Sequence, residues 1–385
     1  MGDQDARLVT EDEKLSIRNQ ASKILSSLAN DPHLKQKDDS YDSWINGTCH
    51  KHYDQGNPST RCRFFDRVGF LHVENFSPEE EILAMKKQMK SLVDECWNPN
   101  EELTAFFTDE KQIEEQGSGK SGDYFLDSAD SVHFFSESRA MDSNGKLRTE
   151  FLLNKMAALN KAGHGLHVCN GSFNDYTKSK KIFDLVKELG WKDPVVPQSM
   201  YIFKQARVGG EVTSHQDSTF LYTTPKQSCL GLWLALDDST IENGCLWVRP
   251  YSHKEKVRRR FARNPEHFGD SLRMNIAKGD LNKSQMIFLN ENESDQAPWE
   301  GQIPNEESSP HESLFKAGFV PVECKAGDLI VFPGTLDHLS LPNFSNYQRH
   351  TFQLHLVEGD GEGVMWSETN WLQYPQGKLF LSLSR

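Results

Sequence analysis

The sequence predicts a mainly β protein of α+β order, a β-sandwich or jelly roll buttressed by N-terminal helices. Three observations lead there. Apolar residues recur at helical spacing only as far as Leu189. From Val195 onward they gather in short aliphatic and aromatic runs of strand length, separated by polar and Gly/Pro-containing stretches. The chain is also 385 residues long, enough to bury a substantial core in one large domain.

Residues 1–60 read as a polar N-terminal extension with one helix around Leu15 to Leu28, where Ile17, Ala21, Ile24 and Leu28 keep helical spacing. The globular body, 61–385, opens on a predicted strand over Phe64–Val73. Ser77-Pro78-Glu79-Glu80 then gives a cap, a proline at the first helical position and a capping glutamate. Ile82, Met85, Met89, Leu92, Val93 and Cys96 lay one apolar face along the helix that follows. A second helix runs from about Lys178 to Leu189 and stops at Gly190. Strands are expected within Val195–Leu236, Gly244–Val248, Asp328–Phe332 and His350–Val357. Between them, at about 254–321, the strand signal lapses into a long insertion, basic at its start and acidic at its end.

Formal net charge is −13, which argues against general binding to nucleic acid or a membrane surface. The seven cysteines are scattered and never form a CxxC pair, so neither a disulfide framework nor a structural zinc site is indicated, and a reducing compartment follows. Cys49, His50, His52 and Cys62 fit no common zinc spacing and read as a surface loop. No apolar signal core or membrane-length run is present. The cytoplasm is the expected location.

The chemistry concentrates at Ser214-His215-Gln216-Asp217. On a strand, His215 and Asp217 project from one face and can share a metal ion. His338, at the end of the apolar run Gly327–Phe332 and its turn, supplies a second histidine. Two histidines and one carboxylate on one side of a metal leave three positions open, the arrangement suited to non-haem Fe(II) and oxygen. His52-Tyr53-Asp54 has the same spacing, but in a polar segment that reads as loop. Arg349 opens the next apolar strand. A buried arginine there demands a carboxylate, and its planar fork suits the end of a dicarboxylic co-substrate.

Four stretches then carry a resemblance: Gln198–Gln205, Gly209–Asp217, Glu242–Trp247 and Trp366–Leu372. With them, the chain from about Phe64 to Leu372 resembles the phytanoyl-CoA dioxygenase family of Fe(II)- and 2-oxoglutarate-dependent oxygenases. The resemblance implies a double-stranded β-helix of cupin-like form, iron on His215, Asp217 and His338, and Arg349 on the distal carboxylate of 2-oxoglutarate. It adds Lys161, in a stretch that reads as helical, together with Met200 and Trp233 as walls or contacts of the 2-oxoglutarate pocket. It implies O2 as oxidant, ascorbate as a supporting reductant, release of succinate and CO2, and hydroxylation of a C–H bond in a small molecule, either an acyl-CoA thioester or a small polar, anionic metabolite. Because Asp217 is present, a halide finds no vacant ligand position.

The chain departs from the family pattern in two places. Tyr251 of Pro250-Tyr251-Ser252-His253 stands where the family carries glycine, which leaves His253 structural or substrate-facing, without a metal role. The second departure is the insertion. Its opening run, Lys254, Lys256, Arg258, Arg259, Arg260 and Arg263, either captures an anionic substrate or pairs with the acidic end of the same insertion. The alternative function is a catalytically idle scaffold of the same fold.

Overall fold

The computed structural model of the protein describes residues 9–32, 59–107, 113, 119–291 and 310–384. Strands are numbered along the chain. The larger sheet has the order β1 (Leu71–Val73), β12 (Leu329–Pro333), β7 (Leu230–Ala235), β14 (Thr351–Glu358), β4 (Pro194–Ile202), β3 (Leu159–His164) and β2 (Val132–Ser136), with β16 (Leu381–Ser382) also paired to β4. The smaller sheet has the order β11 (Val320–Val322), β8 (Leu246–Val248), β13 (His338–Ser340) and β5 (Val212–His215). Two further pairs are β6 (Thr223–Thr224) with β15 (Met365–Trp366), and β9 (Arg259–Arg263) with β10 (Met286–Asn290). Every pairing between these strands is antiparallel, and together the two sheets form a jelly roll.

The period of two decides what faces what. Leu230, Leu232 and Leu234 of β7, Leu329 and Val331 of β12, and Phe352, Leu354 and Leu356 of β14 share one hydrophobic core with Ile82, Met85, Met89 and Val93 of the helix Glu79–Cys96. Fully burying each such side chain contributes about 1.5–3 kcal/mol. The alternate residues turn into the roll: Trp233 is paired with Ile330 and Gln353, and Gly231 with Phe332 and His355. The helices thus hold one face of the large sheet while the other faces the cavity. The N-terminal helix runs from Glu11 to Ala29 behind a Thr10/Glu13 capping box. It buries Ile17 beside Trp247 and Leu339, and Leu28 beside Val68 and Val322.

Several expectations are corrected. Phe64–Val73 is a helix, Thr60–Val68, followed by the three-residue β1. Ser59 caps it, Gly69 ends it at φ 99°, and Cys62, Phe65 and Val68 face inward at helical spacing, so adjacent Phe64 and Phe65 imitate a strand without forming one. The next helix begins at Glu79 with Pro78, in extended conformation, as its cap. Ser77 instead meets the Tyr176 hydroxyl. Lys161 lies on β3, where pairing with both β2 and β4 overrides the helical propensity of its alanine-rich surroundings. His338 does not end the β12 strand. It opens β13 in the other sheet, after a crossing at Gly334–Asp337.

The described part of the insertion is also structured. It holds the β9–β10 pair, a short helix at Pro265–Phe268, the helix Pro310–Lys316 and β11. The four arginines of its basic run are engaged. Arg258 pairs with Asp337, Arg259 lies over Phe288, Arg260 pairs with Glu291, and Arg263 is fully buried, donating to Trp371 and Leu272 carbonyls. The rest of the acidic end, from Glu293 on, lies outside the described residues, as do Cys49, His50 and the His52-Tyr53-Asp54 motif.

Candidate active site

His215 ends β5, and Asp217 opens a one-turn 3-10 helix, Asp217–Thr219, so the strand yields to a tight turn within the motif. Across the small sheet His338 is the register partner of His215. Asp217 Oδ1 lies 3.5 Å from His215 Nε2 and 3.7 Å from His338 Nε2, and the imidazole centroids are 4.2 Å apart. One ligand atom from each of the three residues lies within 4.8 Å of the others.

The tautomers suit metal binding. His215 Nδ1–H donates to the Thr213 carbonyl at 2.8 Å and His338 Nδ1–H to the Leu336 carbonyl at 3.0 Å. Because a carbonyl only accepts, each Nδ1 carries the proton and each Nε2 keeps its lone pair toward Asp217. Burial pushes the His338 imidazole down to about 4. Burial alone would raise the Asp217 carboxyl, but His355, His338 and His215 hold it well below the usual carboxylate range. Two neutral imidazoles and one carboxylate are the donors that Fe(II) takes in a facial triad.

Arg349 precedes β14 and is 2% exposed. Its Nε and Nη1 have no hydrogen-bond partner, and no carboxylate forms an ion pair with it among the described residues. The guanidinium sits 5.3 Å from the Trp233 ring centroid. Burial pushes its pKa down to about 10, still charged at neutral pH. Lys161 is likewise buried. Its Nζ lies 3.0 Å from His164 Nε2 and 3.5 Å from the Phe106 centroid, and burial holds the amine well below its ordinary range.

His215, Asp217, His338, Arg349, Lys161, Met200 and Trp233 all line one cavity of about 130 Å³. Phe106, Phe125, Phe220, Leu221 and Trp371 form its apolar wall. Sequence reasoning misses polar groups in and behind this cavity. His355 Nε2–H donates to Asp217 Oδ2 at 3.2 Å, and Gln198 Nε2 donates to His355 Nδ1 at 3.2 Å. Glu137 accepts from Asn160 and from the Gly210 amide, and burial pushes its carboxyl up to about 7. Lys204 donates to the Gly210 and Leu341 carbonyls. Gln198 stands two residues before Met200 and was findable by period; His355 needed the strand register.

His253 faces away from this cavity. It is 1% exposed, its Nε2 donates to the Asp66 carbonyl, and its ring fills the space a Cβ on Gly69 would enter. Tyr251 takes φ 70°, the left-handed conformation that favours glycine. A second cluster, His72, Cys324 and Asp328, is closed by hydrogen bonds. His72 and the amides of Asn75 and Lys325 already occupy the Asp328 carboxylate.

A jelly roll with two histidines and a carboxylate converging beside a buried, unmatched arginine defines the class of non-haem iron, 2-oxoglutarate-dependent oxygenases. The family follows from comparison with known proteins: residues 65–351 match the phytanoyl-CoA dioxygenase (PhyH) family model, and the chain belongs to that family. It is 38% identical over 312 residues to a phytanoyl-CoA dioxygenase of Arabidopsis thaliana, covering 80% of this chain and 91% of that protein. With phytanoyl-CoA dioxygenase domain-containing protein 1 of Mus musculus it shares 38% over 310 residues, 80% and 92% of the two chains. Solved structures similar to it include the epimerase SnoN in complex with Fe3+, alpha ketoglutarate and nogalamycin RO, at TM-score 0.49 and 13% identity over 84% of this chain and 97% of that one. Another is EctD from S. alaskensis in its apoform, at TM-score 0.49 and 14% identity over 85% and 86%. As a member of its family the chain is a 2-oxoglutarate-dependent dioxygenase, with iron and 2-oxoglutarate as cofactors.

Proposed function

We propose that the chain hydroxylates a C–H bond of a small molecule, with His215, Asp217 and His338 holding Fe(II) and Arg349 holding the far carboxylate of 2-oxoglutarate. Bound there with O2, iron and 2-oxoglutarate supply the oxidant, and succinate and CO2 are the co-products. The observation that carries the reading is Arg349, a fully buried cation with two unpartnered donor nitrogens in the cavity that holds the three ligand residues. Leaving buried donors unmatched is costly, and a dicarboxylate satisfies them.

The protein's own groups divide the work. His355 ties Asp217 Oδ2, which leaves Oδ1 turned toward the two imidazoles. Trp233 stacks on the Arg349 guanidinium, and Met200 lies on the adjoining strand. The aromatic wall keeps water away from the reacting bond. Capture of an anion by the 254–263 run is not part of this reading, because Arg258, Arg260 and Arg263 are already engaged.

No helix among the described residues is long and apolar enough to cross a membrane. The cytoplasm is the proposed location; the six described cysteines form no disulfide with one another. The test is formation of succinate from 2-oxoglutarate with Fe(II) and ascorbate, followed by a metabolite screen for products heavier by one oxygen. Succinate at the level of heat-killed protein, across the screen, would favour the idle scaffold instead.

A further inference from the structure

Two residues beside the ligand positions, Gln216 and Asp337, meet one short segment of the insertion, and Ser214 joins them through Asp337. Ser214, before His215, donates its hydroxyl to Asp337 Oδ1 at 2.6 Å. Asp337, before His338, is fully buried and accepts both arms of Arg258 at 3.0 Å each, with Arg249 Nε at 3.2 Å. Gln216, between His215 and Asp217, accepts the Arg258 backbone N–H at 3.0 Å and donates to the carbonyls of Thr335 at 2.9 Å and Lys256 at 3.2 Å. Arg258 therefore grips the β5 ligand segment with its main chain and the β13 ligand segment with its side chain.

A buried ion pair is a poor way to gain stability, since apolar residues of similar volume often do as well. Its fixed bidentate fork is, however, a precise way to set a distance. We propose that Arg258 is a positioning residue for the metal site, and that the Lys256–Arg258 opening of the insertion is a clasp setting the spacing of His215 and Asp217 against His338. Metal affinity is then coupled to the insertion. The proposal rests on the reading that these three residues hold the metal.

Co(II), a spectroscopic stand-in for Fe(II), is titrated into the full chain and followed by its ligand-field absorption. In Arg258→Met, binding weakens by about 10- to 100-fold, the usual effect of losing a hydrogen-bonded support behind a metal ligand, and the band changes shape. Arg258→Lys, which keeps the charge and loses the fork, shows a smaller loss in the same direction. Arg260→Ser, which removes the neighbouring pair with Glu291, leaves affinity and band unchanged. Wild-type affinity and band shape in Arg258→Met would overturn the clasp, whatever its melting temperature. Should that variant fail to fold, the same result in Arg258→Lys overturns it. Unaltered Co(II) binding by His338→Ala would show instead that the metal site itself is misplaced, so the two failures are distinguishable.

Discussion

Arg349 is buried without a counter-charge, and that makes it the most informative single residue. Structural arginines of this chain are better matched: Arg258 is buried against Asp337, Arg18 is held by Glu323, and Arg263 donates to two carbonyls and leaves one nitrogen unmatched where Arg349 leaves two. A guanidinium left with free donors is built to receive something. Arg349→Leu should weaken 2-oxoglutarate binding by roughly 2–5 kcal/mol, the cost of truncating one partner of a buried charge pair. Calorimetric titration of 2-oxoglutarate into the metal-loaded protein measures this, and an unchanged affinity would remove Arg349 from the pocket. His215, Asp217, His338 and Arg349 were legible in the sequence because each stands at a local signal, a spaced pair or a strand end. His355 was not, because what places it is the pairing of β14 with β4, in which Gln198 is its register partner.

Among the elements, the central strands of the roll and the helices Glu11–Ala29, Glu79–Cys96 and Lys180–Glu188 were legible, whereas β2, β3 and the helix Thr60–Val68 were not. β4, β7, β12 and β14 are short apolar runs, which sequence pattern reads well. The Thr60–Val68 helix was hidden by its two adjacent phenylalanines, and the β9–β10 pair by arginines whose charges are neutralised only in three dimensions. Tyr251 marks a strained turn between β8 and β9, at φ 70° and 42% exposed. A left-handed non-glycine residue costs about 1–2 kcal/mol, while glycine adds about 0.5–1 kcal/mol of chain entropy to be lost on folding. Tyr251→Gly should therefore raise stability by up to ~1 kcal/mol in urea unfolding. A destabilised variant would mean the side chain's contacts outweigh the strain.

At the scale of the whole molecule, burial of neutral histidines sets the response to acid. Burial pushes His167, His253 and His350 each down to about 4 from an ordinary 6.5. A depressed pKa contributes stability that is complete above the unfolded value and lost as pH falls through the folded one. The loss here spans pH 6.5 to about 4, and is of order 3 kcal/mol per histidine at most. Glu137, pushed up to about 7 by burial, acts in the opposite sense, its contribution fading as pH rises from 4.5 through 7. The lowered histidines, His338 and His164 among them, outnumber the raised carboxyls Glu137 and Glu358 and give a net fall in unfolding free energy on acidification, read from urea midpoints measured across that window; a flat profile would contradict it. The proposed reading places one iron and 2-oxoglutarate site in the jelly roll, on His215, Asp217, His338 and Arg349. Its most direct test is the visible charge-transfer band of the 2-oxoglutarate–Fe(II) chelate, recorded without oxygen. The wild-type chain should develop the band with one Fe(II) per chain, and His215→Ala, Asp217→Ala and His338→Ala should each abolish it while their circular dichroism stays native. A band that persists in folded His338→Ala would contradict the account.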